Sequence, residues 1–288
     1  MHVRFPHLSW IILSILAFSS CTEEELITVT DNQPPTVNNV PAIKIENYVN
    51  RIFIDLLGRE PLDLELAEEA AALRDADLSI EARRALVTKL QTSNTFIEGD
   101  SSYRKAHYQH LYNLGKVRCL EGASDQDIRE EQQNADGIDS IRLERVLTAG
   151  RDLQAKSITI EQFFGRMIFN KVYDVINMNS FNFVNATFDN LLWRFPTQSE
   201  FQAGFNMVEF NQEGSLLGRS GSDKEMYVDI IISSPEMYEG LIIWAYQSLL
   251  ARRPTTEETV QLLDTFYQNN DFEAIQQAIM VTDEYAGF

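Results

Sequence analysis

The sequence Leu-Leu-Gly-Arg-Glu-Pro at residues 56–61 recurs as Leu-Leu-Trp-Arg-Phe-Pro at 191–196 and as Leu-Leu-Ala-Arg-Arg-Pro at 249–254. Each copy also has a branched aliphatic residue twelve positions before the proline, an aromatic residue eight before it and a glutamate four after it. Six matching columns in three copies indicate an internal repeat, which says more about architecture than any single motif. Beside the leucine pair, arginine and proline, these columns hold Val49, Phe53 and Glu65, then Val184, Phe188 and Glu200, and finally Ile242, Tyr246 and Glu258.

The shared columns predict a helix–turn–helix unit. The apolar positions lie on one helical face, so each copy opens with an amphipathic helix that ends before the proline. Gly58 is typical of a helix C-cap. Thr197 and Thr255, each followed by glutamate three residues later, predict capping boxes that begin the second helix. The first copy has Leu62 at that position, and we expect Asp63 to cap the helix instead.

The arginine of each copy falls at the C-terminus of the first helix, where a cation is favoured by the helix dipole and can pair with a glutamate. A catalytic role for it is the alternative, but we expect a structural one. The structural motif residues of the repeat are Arg59, Pro61, Arg194, Pro196, Arg252 and Pro254.

At these residues the chain resembles a known kind of module. The hexapeptide at 56–61 and the stretch from Tyr246 to Tyr285 resemble the helical modules of phycobilisome linker proteins. They are equally similar to a domain of unknown function common in secreted bacterial proteins. The resemblance implies an all-α module used for assembly or display, and it carries over no catalytic residue and no pigment contact.

We therefore predict an all-α fold, a helical bundle built from three divergent helix–turn–helix repeats plus a helical insertion. The all-α domain is expected over 45–288, with repeats at about 45–98, 181–239 and 240–288 and the insertion at 100–180. Inside the insertion we expect helices at 101–114, 138–153 and 159–178, and a polar loop or solvated face at 125–137. The glycines between 214 and 221 predict a mobile connection between helices.

The composition of the chain limits the classes of function that it can have. The 288 residues include 24 Lys and Arg against 43 Asp and Glu, a formal net charge of −19. This charge argues against a nucleic-acid partner, because phosphate binding needs a basic surface. Apolar residues make up 44% of the chain, as is ordinary for a globular protein. The only cysteines are Cys21 and Cys119, which excludes a disulfide framework.

Residues 1–20 are typical of a signal peptide. Arg4 supplies a positive start, residues 8–18 form an apolar run too short to span a membrane, and Ser19 and Ser20 are small. A buried N-terminal helix is the alternative interpretation, but the acidic and proline-rich sequence that follows gives it nothing to pack against.

The cysteine after this segment resembles the lipobox cysteine of bacterial lipoproteins, in the looser form found in Bacteroidota. The resemblance implies that Cys21 is acylated and becomes the mature N-terminus. The next acidic residues, Glu23, Glu24 and Glu25, resemble a signal for export to the outer face of the outer membrane. Residues 21–44, rich in proline, asparagine and threonine, then predict an extended tether.

Few residues suggest chemistry. His107 and His110 have the spacing of a helical metal pair, but zinc normally takes three or four protein ligands, and we expect two helix-surface histidines. Cys119 lies beside Arg118 and Lys116, which could activate a thiol, but we expect a buried, inert one. We predict no catalytic residue, no metal and no cofactor.

The sequence therefore predicts an outer-membrane-anchored, non-enzymatic helical-repeat lipoprotein that acts as a binding, scaffold or accessory subunit of the cell envelope. Its expected partners are the membrane, through the lipid anchor, and an envelope protein. The alternative is a surface glycan-binding or hydrolytic lipoprotein of a nutrient-uptake system, with exposed aromatic residues beside paired carboxylates near Trp193. A large apolar surface patch favours the first hypothesis, and a cleft with converging acids favours the second.

We predict that Cys21→Ala releases the protein from membranes or leaves its signal peptide uncleaved, because the acyl chains on this cysteine supply the anchor. Metabolic labelling with an acyl probe, followed by membrane fractionation, measures both effects. Acyl labelling that persists in the variant contradicts the prediction.

Overall fold

A computed structural model describes residues 40–97, 99 and 101–288. The signal peptide, Cys21, the glutamates after it and most of the tether lie outside the described residues. The described part is mostly helical. Its α-helices are α1 (Ala42–Leu57), α2 (Asp63–Asp75), α3 (Ile80–Thr92), α4 (Tyr103–Leu120), α5 (Asp125–Asn134), α6 (Gly137–Gln154), α7 (Ile160–Ile168), α8 (Lys171–Asn177), α9 (Ser180–Thr187), α10 (Gln198–Phe210), α11 (Lys224–Ile232), α12 (Pro235–Leu250), α13 (Thr256–Asn269), α14 (Phe272–Met280) and α15 (Asp283–Ala286), and a π-helix spans Phe188–Leu192.

The described chain is mostly helical, as predicted, but the predicted mobile connection between 214 and 221 is a short β-hairpin. Strands β1 (Gly214–Leu216) and β2 (Arg219–Gly221) form an antiparallel hairpin in which Gly214 pairs with Gly221. Leu217 and Gly218 at its tip both have positive φ, 50° and 78°, as a two-residue hairpin turn requires. Strands of three residues are too short to show an alternating pattern in the sequence.

The structure differs from the sequence prediction at three element boundaries. Helix α1 begins at Ala42, inside the predicted tether. Part of the predicted loop at 125–137 is the helix α5, with Ile128 as its one buried residue, so it is a solvated helical face. The expected helix at 159–178 is divided into α7 and α8, because the Asn170 side chain caps α8 and also donates to the last carbonyls of α7.

The predicted caps are confirmed at two of three starts. Thr197 and Thr255 each accept a hydrogen bond from the glutamate N–H three residues later, and that glutamate side chain accepts from the threonine N–H. Asp63 does not cap α2, contrary to expectation. Leu62 is the N-cap, and its N–H donates to the Glu65 carboxylate at 2.8 Å. Because leucine has no side-chain acceptor, the other half of the capping box is missing.

The apolar columns of the sequence form the core. Phe53 and Phe188 are fully buried and Tyr246 is nearly so, as predicted. Ile242, on the same helix as Tyr246, is also fully buried. The leucine pairs lie in α1, the π-helix and α12, so none of them is in a strand.

Helix α12 runs against the π-helix at very short range. An added Cβ on Gly240 would lie 1.9 Å from the carbonyl oxygen of Leu191, so only glycine fits at this crossing. Helix α12 thus packs directly on the second leucine pair, and the same helix carries Tyr246 and the third leucine pair.

The first and last helices are joined by long-range hydrogen bonds. The Tyr48 hydroxyl donates to the Met280 carbonyl at 2.9 Å, and Arg51 donates to the Tyr285 carbonyl at 2.8 Å. Arg83 on α3 binds the Val281 carbonyl and the Asp283 carboxylate at 2.8 and 2.7 Å. These contacts hold α1 and α3 against α14 and α15, at the opposite end of the described chain.

We predict that Phe188→Ala destabilises the protein by about 3–5 kcal/mol, because it removes a fully buried aromatic ring. Phe195→Ala is the matched control: its ring is 72% exposed, so we expect a change below about 0.5 kcal/mol. Urea unfolding followed by circular dichroism measures both. Equal losses in the two variants would show that Phe188 is not a core residue.

Candidate functional site

Each arginine of the sequence motif makes the same set of contacts in a turn between two helices. We call residues 58–61, 193–196 and 251–254 the arginine turns. In each of them, Nη1 of the arginine donates to the carbonyl of the next residue, and the guanidinium binds both carboxylate oxygens of the glutamate six residues on. The nitrogen–oxygen distances of these pairs are 2.8 and 3.0 Å for Arg59–Glu65, 2.9 and 2.7 Å for Arg194–Glu200, and 2.9 and 2.7 Å for Arg252–Glu258.

The guanidinium of each turn also lies over the aromatic ring of its own motif. The distances from Cζ to the ring centroid are 5.5 Å for Arg59 over Phe53, 5.0 Å for Arg194 over Phe188 and 5.1 Å for Arg252 over Tyr246. A planar cation can stack on a ring and bind a carboxylate bidentately at the same time, which lysine cannot do. The guanidinium therefore connects the buried aromatic ring of one helix to the glutamate in the first turn of the next helix.

The electrostatic consequence appears on the glutamates. Hydrogen bonds from Arg194 lower the pKa of Glu200 to about 2, and those from Arg252 lower the pKa of Glu258 to about 2. At Glu65 burial acts in the opposite direction, yet hydrogen bonds from Arg59, from the Leu62 N–H and from Tyr103 leave its pKa below the usual value. All three carboxylates are thus held ionised.

Arg194 and Arg252 each also bind a second carboxylate at the start of a later helix. Arg194 binds Glu236 in the first turn of α12 at 2.8 Å, and Arg252 binds Glu284 in the first turn of α15 at 2.6 Å. With both carboxylates bound, the guanidinium nitrogens of Arg194 and Arg252 are hydrogen-bonded, and each arginine connects the helices that carry its partners. The prolines of the motif, Pro61, Pro196 and Pro254, each stand one residue before the N-cap of the next helix.

Trp193 is covered by arginine. It has φ of 56° at the end of the π-helix, a left-handed conformation that L-residues seldom adopt. The Arg118 guanidinium lies 4.1 Å from the centre of its ring, and Arg253 donates to its carbonyl at 3.3 Å. Arg118 also donates to the carbonyls of Asp189 and Asn190, so α4 caps the end of the π-helix.

The expectation of two surface histidines is wrong. His107 is 1% exposed, with Nδ1 3.3 Å from the Leu56 carbonyl at the end of α1, and burial lowers its pKa to about 4. His110, one turn further along, is half-buried and lies against Gly58 in the first arginine turn. In residues 40–97, 99 and 101–288, no three His, Cys, Asp or Glu side chains are grouped as a metal site.

Cys119 is buried, as expected. Burial raises the pKa of its thiol to about 12, and the opposite effect of neighbouring Arg118 is smaller. A thiol in this state is a weak nucleophile, because the thiolate is the reactive form.

A cavity of about 470 Å³ lies between α6, α7 and α11, and its lining includes Arg142 and Arg166, each of which has a carboxylate partner. Arg142 stacks on Phe169 at 3.8 Å and lies 3.3 Å from Asp139. Arg166 binds Asp152 at 2.7 Å. These ion pairs serve helix packing.

An aromatic cluster lies on the surface of α9 and α10, and we call it the phenylalanine surface: Phe181, Phe201, Phe205 and Phe210. Neighbouring ring centroids are 4.9, 5.7 and 5.6 Å apart in that order. Phe181 is 57% and Phe210 54% exposed, while the two rings between them are half-buried. Contiguous exposed apolar surface of this kind marks an interaction site more often than scattered single residues do.

Sequence reasoning missed this surface, although the sequence carries a signal for it. Residues 175–212 contain only four charged side chains in 38 positions, in a chain that is 23% charged overall. The same stretch holds seven phenylalanines and ten asparagines or glutamines. Depletion of charge together with aromatic enrichment is the composition of the centre of a protein–protein interface.

The backbone beside this surface is strained. Met178, in the connection that enters α9, has φ of 63° and its side chain is 78% exposed. A positive φ at a non-glycine residue costs of order 1–3 kcal/mol and is most frequent at functional sites. Met178 thus presents a flexible apolar side chain to solvent three residues before Phe181 in the chain. A methionine side chain adapts well to different contact surfaces.

The chain matches no protein-family model, no curated protein and no solved structure at the level that marks a relative. Within the described residues, every helix is too short or too polar to cross a lipid bilayer.

We predict that Glu258→Gln costs about 1 kcal/mol at pH 7, a value reduced by the solvent exposure of this pair. The folded pKa of about 2 lies below the usual 4.5, so the stabilisation is complete above about pH 4.5 and is lost as pH falls toward 2. The stability difference between wild type and variant should therefore shrink over that range in urea titrations.

Glu257→Gln is the control, since Glu257 lies next to Glu258 in the same first helical turn and bonds to Gln261 instead of Arg252. It should change stability by less than about 0.5 kcal/mol. A Glu258→Gln effect that stays constant from pH 7 to pH 2 contradicts the ion-pair explanation.

Proposed function

We propose that this protein is a non-enzymatic, lipid-anchored binding subunit of the outer membrane that holds an envelope protein on its phenylalanine surface. The single observation that carries the proposal is the contiguous, half-exposed cluster of Phe181, Phe201, Phe205 and Phe210. The lipobox-like sequence before Cys21 supports the anchor, and the proline-, asparagine- and threonine-rich composition that follows Cys21 supports a tether.

The chemistry of the partner follows from the charges. Docking on this surface removes aromatic rings and amide side chains from water but almost no charge, so it avoids the desolvation penalty of buried ions. The partner that fits is a protein segment with an uncharged apolar face. A second copy of this chain fits poorly, because two molecules of net charge −19 repel each other.

The scaffold that presents this surface is proposed to be three divergent helix–turn–helix repeats around the arginine turns. The support is that all three arginine turns have the same spacing. Each arginine binds the glutamate six residues after it and lies over the aromatic ring six residues before it. Each proline stands directly before an N-cap. The second repeat differs by its π-helix and by the hairpin between α10 and α11.

The alternative, a glycan-binding or hydrolytic lipoprotein, is not favoured by the contacts around Trp193. That hypothesis needs paired carboxylates near an exposed indole. The indole of Trp193 is instead half-buried beneath the guanidinium of Arg118.

Site-specific photocrosslinking tests the proposal in cells that make the protein naturally. A photoreactive residue in place of Gln202, exposed on α10 among the phenylalanines, should give one crosslinked envelope protein. The same residue in place of Gln268, exposed on α13, should not. We expect the double variant Phe181→Asn/Phe210→Asn to lose at least nine tenths of the crosslink while its thermal unfolding stays close to wild type.

Two exposed phenylalanines outside the surface provide the matched control. The double variant Phe96→Asn/Phe195→Asn changes rings that are 78% and 72% exposed, and it should keep the crosslink. No product from position 202, a product that is a second copy of this chain, or an undiminished product in Phe181→Asn/Phe210→Asn each contradicts the proposal.

A further inference from the structure

A small cavity of about 150 Å³ lies where α1, α4, α12 and α14 meet, away from the phenylalanine surface. Its walls are mainly apolar and include Trp244, Ala245 and Phe272, with the Trp244 and Phe272 rings stacked at 5.6 Å and 10°. An apolar cavity of about this volume accommodates a single benzene-sized ring. Polar groups from separate helices reach the same space: Asp55 from α1, His110 from α4 and Gln276 from α14.

Gln276 offers a hydrogen-bond donor to this cavity. Its side chain is 94% buried, and its Oε1 accepts from Gln91 at 3.5 Å, while its amide nitrogen donates to no described residue. In the described part of the chain, the one unpartnered side-chain N or O atom sealed from solvent is His107 Nε2. The Gln276 amide nitrogen is therefore accessible, and the space open to it is the cavity.

Asp55 offers a hydrogen-bond acceptor to the cavity. One carboxylate oxygen accepts from the Tyr285 hydroxyl at 2.7 Å and lies 3.7 Å from Arg51 Nε. Its second oxygen has no hydrogen-bond partner in the described residues. His110, likewise without a hydrogen bond there, can donate or accept according to its tautomer.

These surroundings disfavour a charged ligand. Burial lowers the pKa of His110, so the imidazole is neutral near pH 7, and burial raises the pKa of Asp55 against the opposite effects of Tyr285 and Arg51. An anion would meet the Asp55 carboxylate, and a cation would meet the Arg51 guanidinium, which lies 3.7 Å from that carboxylate. A charged ligand would also lose its hydration against the aromatic wall.

We propose that this cavity binds a small, uncharged, planar ring compound whose polar edge both donates and accepts hydrogen bonds, as a ring carboxamide does. The ring lies against the Trp244 and Phe272 wall. The edge donates to Asp55 and accepts from Gln276. This site is independent of the protein partner on the phenylalanine surface.

Four probes of one shape test the proposal by isothermal titration calorimetry on the full-length protein in detergent micelles. Benzamide has the neutral donor–acceptor edge, benzoate carries a negative charge, benzylammonium carries a positive charge, and toluene has no polar edge. We expect benzamide to bind at least tenfold more tightly than each of the others. No benzamide binding, or equal affinity for all four probes, overturns the proposal.

Two neighbouring glutamines on α14 make the variant test specific. Gln276→Met should weaken benzamide binding about tenfold, the effect of one lost hydrogen bond, and leave toluene unchanged. Gln277→Met should have no effect, because Gln277 bonds to Thr88 outside the cavity. Ala245→Leu fills the space and should abolish binding of both probes, with thermal unfolding as the check on folding. Equal weakening by Gln276→Met and Gln277→Met overturns the proposal.

Discussion

The bidentate pair between an arginine and the glutamate six residues later is the interaction on which this structure depends. Each arginine turn has to end one helix and begin another within a few residues, and both helix ends leave backbone groups unpaired. The guanidinium donates to a turn carbonyl, and the glutamate accepts from the N–H of the N-cap residue of the next helix, as Glu258 does from Thr255. One ion pair thereby fixes the turn and the capping of the following helix.

Helix α4, which lies outside the arginine turns in sequence, connects two of them in space. His107 meets the Leu56 carbonyl just before the first turn, and an added Cβ on Gly58 would lie 2.5 Å from His110 Nδ1. At its other end, Arg118 binds carbonyls of the π-helix and stacks on Trp193 in the second turn. The buried histidine is neutral because of this packing, and α4 is an integral part of the core.

Charge is sparse in one part of the sequence and frequent in the rest. Most carboxylates of this acidic chain are solvated or paired, and they keep the protein soluble and repel further copies. Residues 175–212 are an exception, because they put phenylalanines and amides where other surfaces carry charge. Phe183 and Phe188 of this stretch belong to the core, whereas Phe181 and Phe210 remain more than half exposed, and a protein partner would bury both of those exposed rings.

The sequence by itself determined the features that arise within a dozen residues: the amphipathic helices before each proline, the capping at Thr197 and Thr255, and the burial of Phe188. Their causes are helical periodicity and neighbouring backbone groups, both of which are written locally. Only the tertiary structure decided that His107 is interior and that the phenylalanine surface is exposed. Those outcomes depend on which face of α4 or α10 meets a distant helix, and the spacing of residues along a single helix does not specify that.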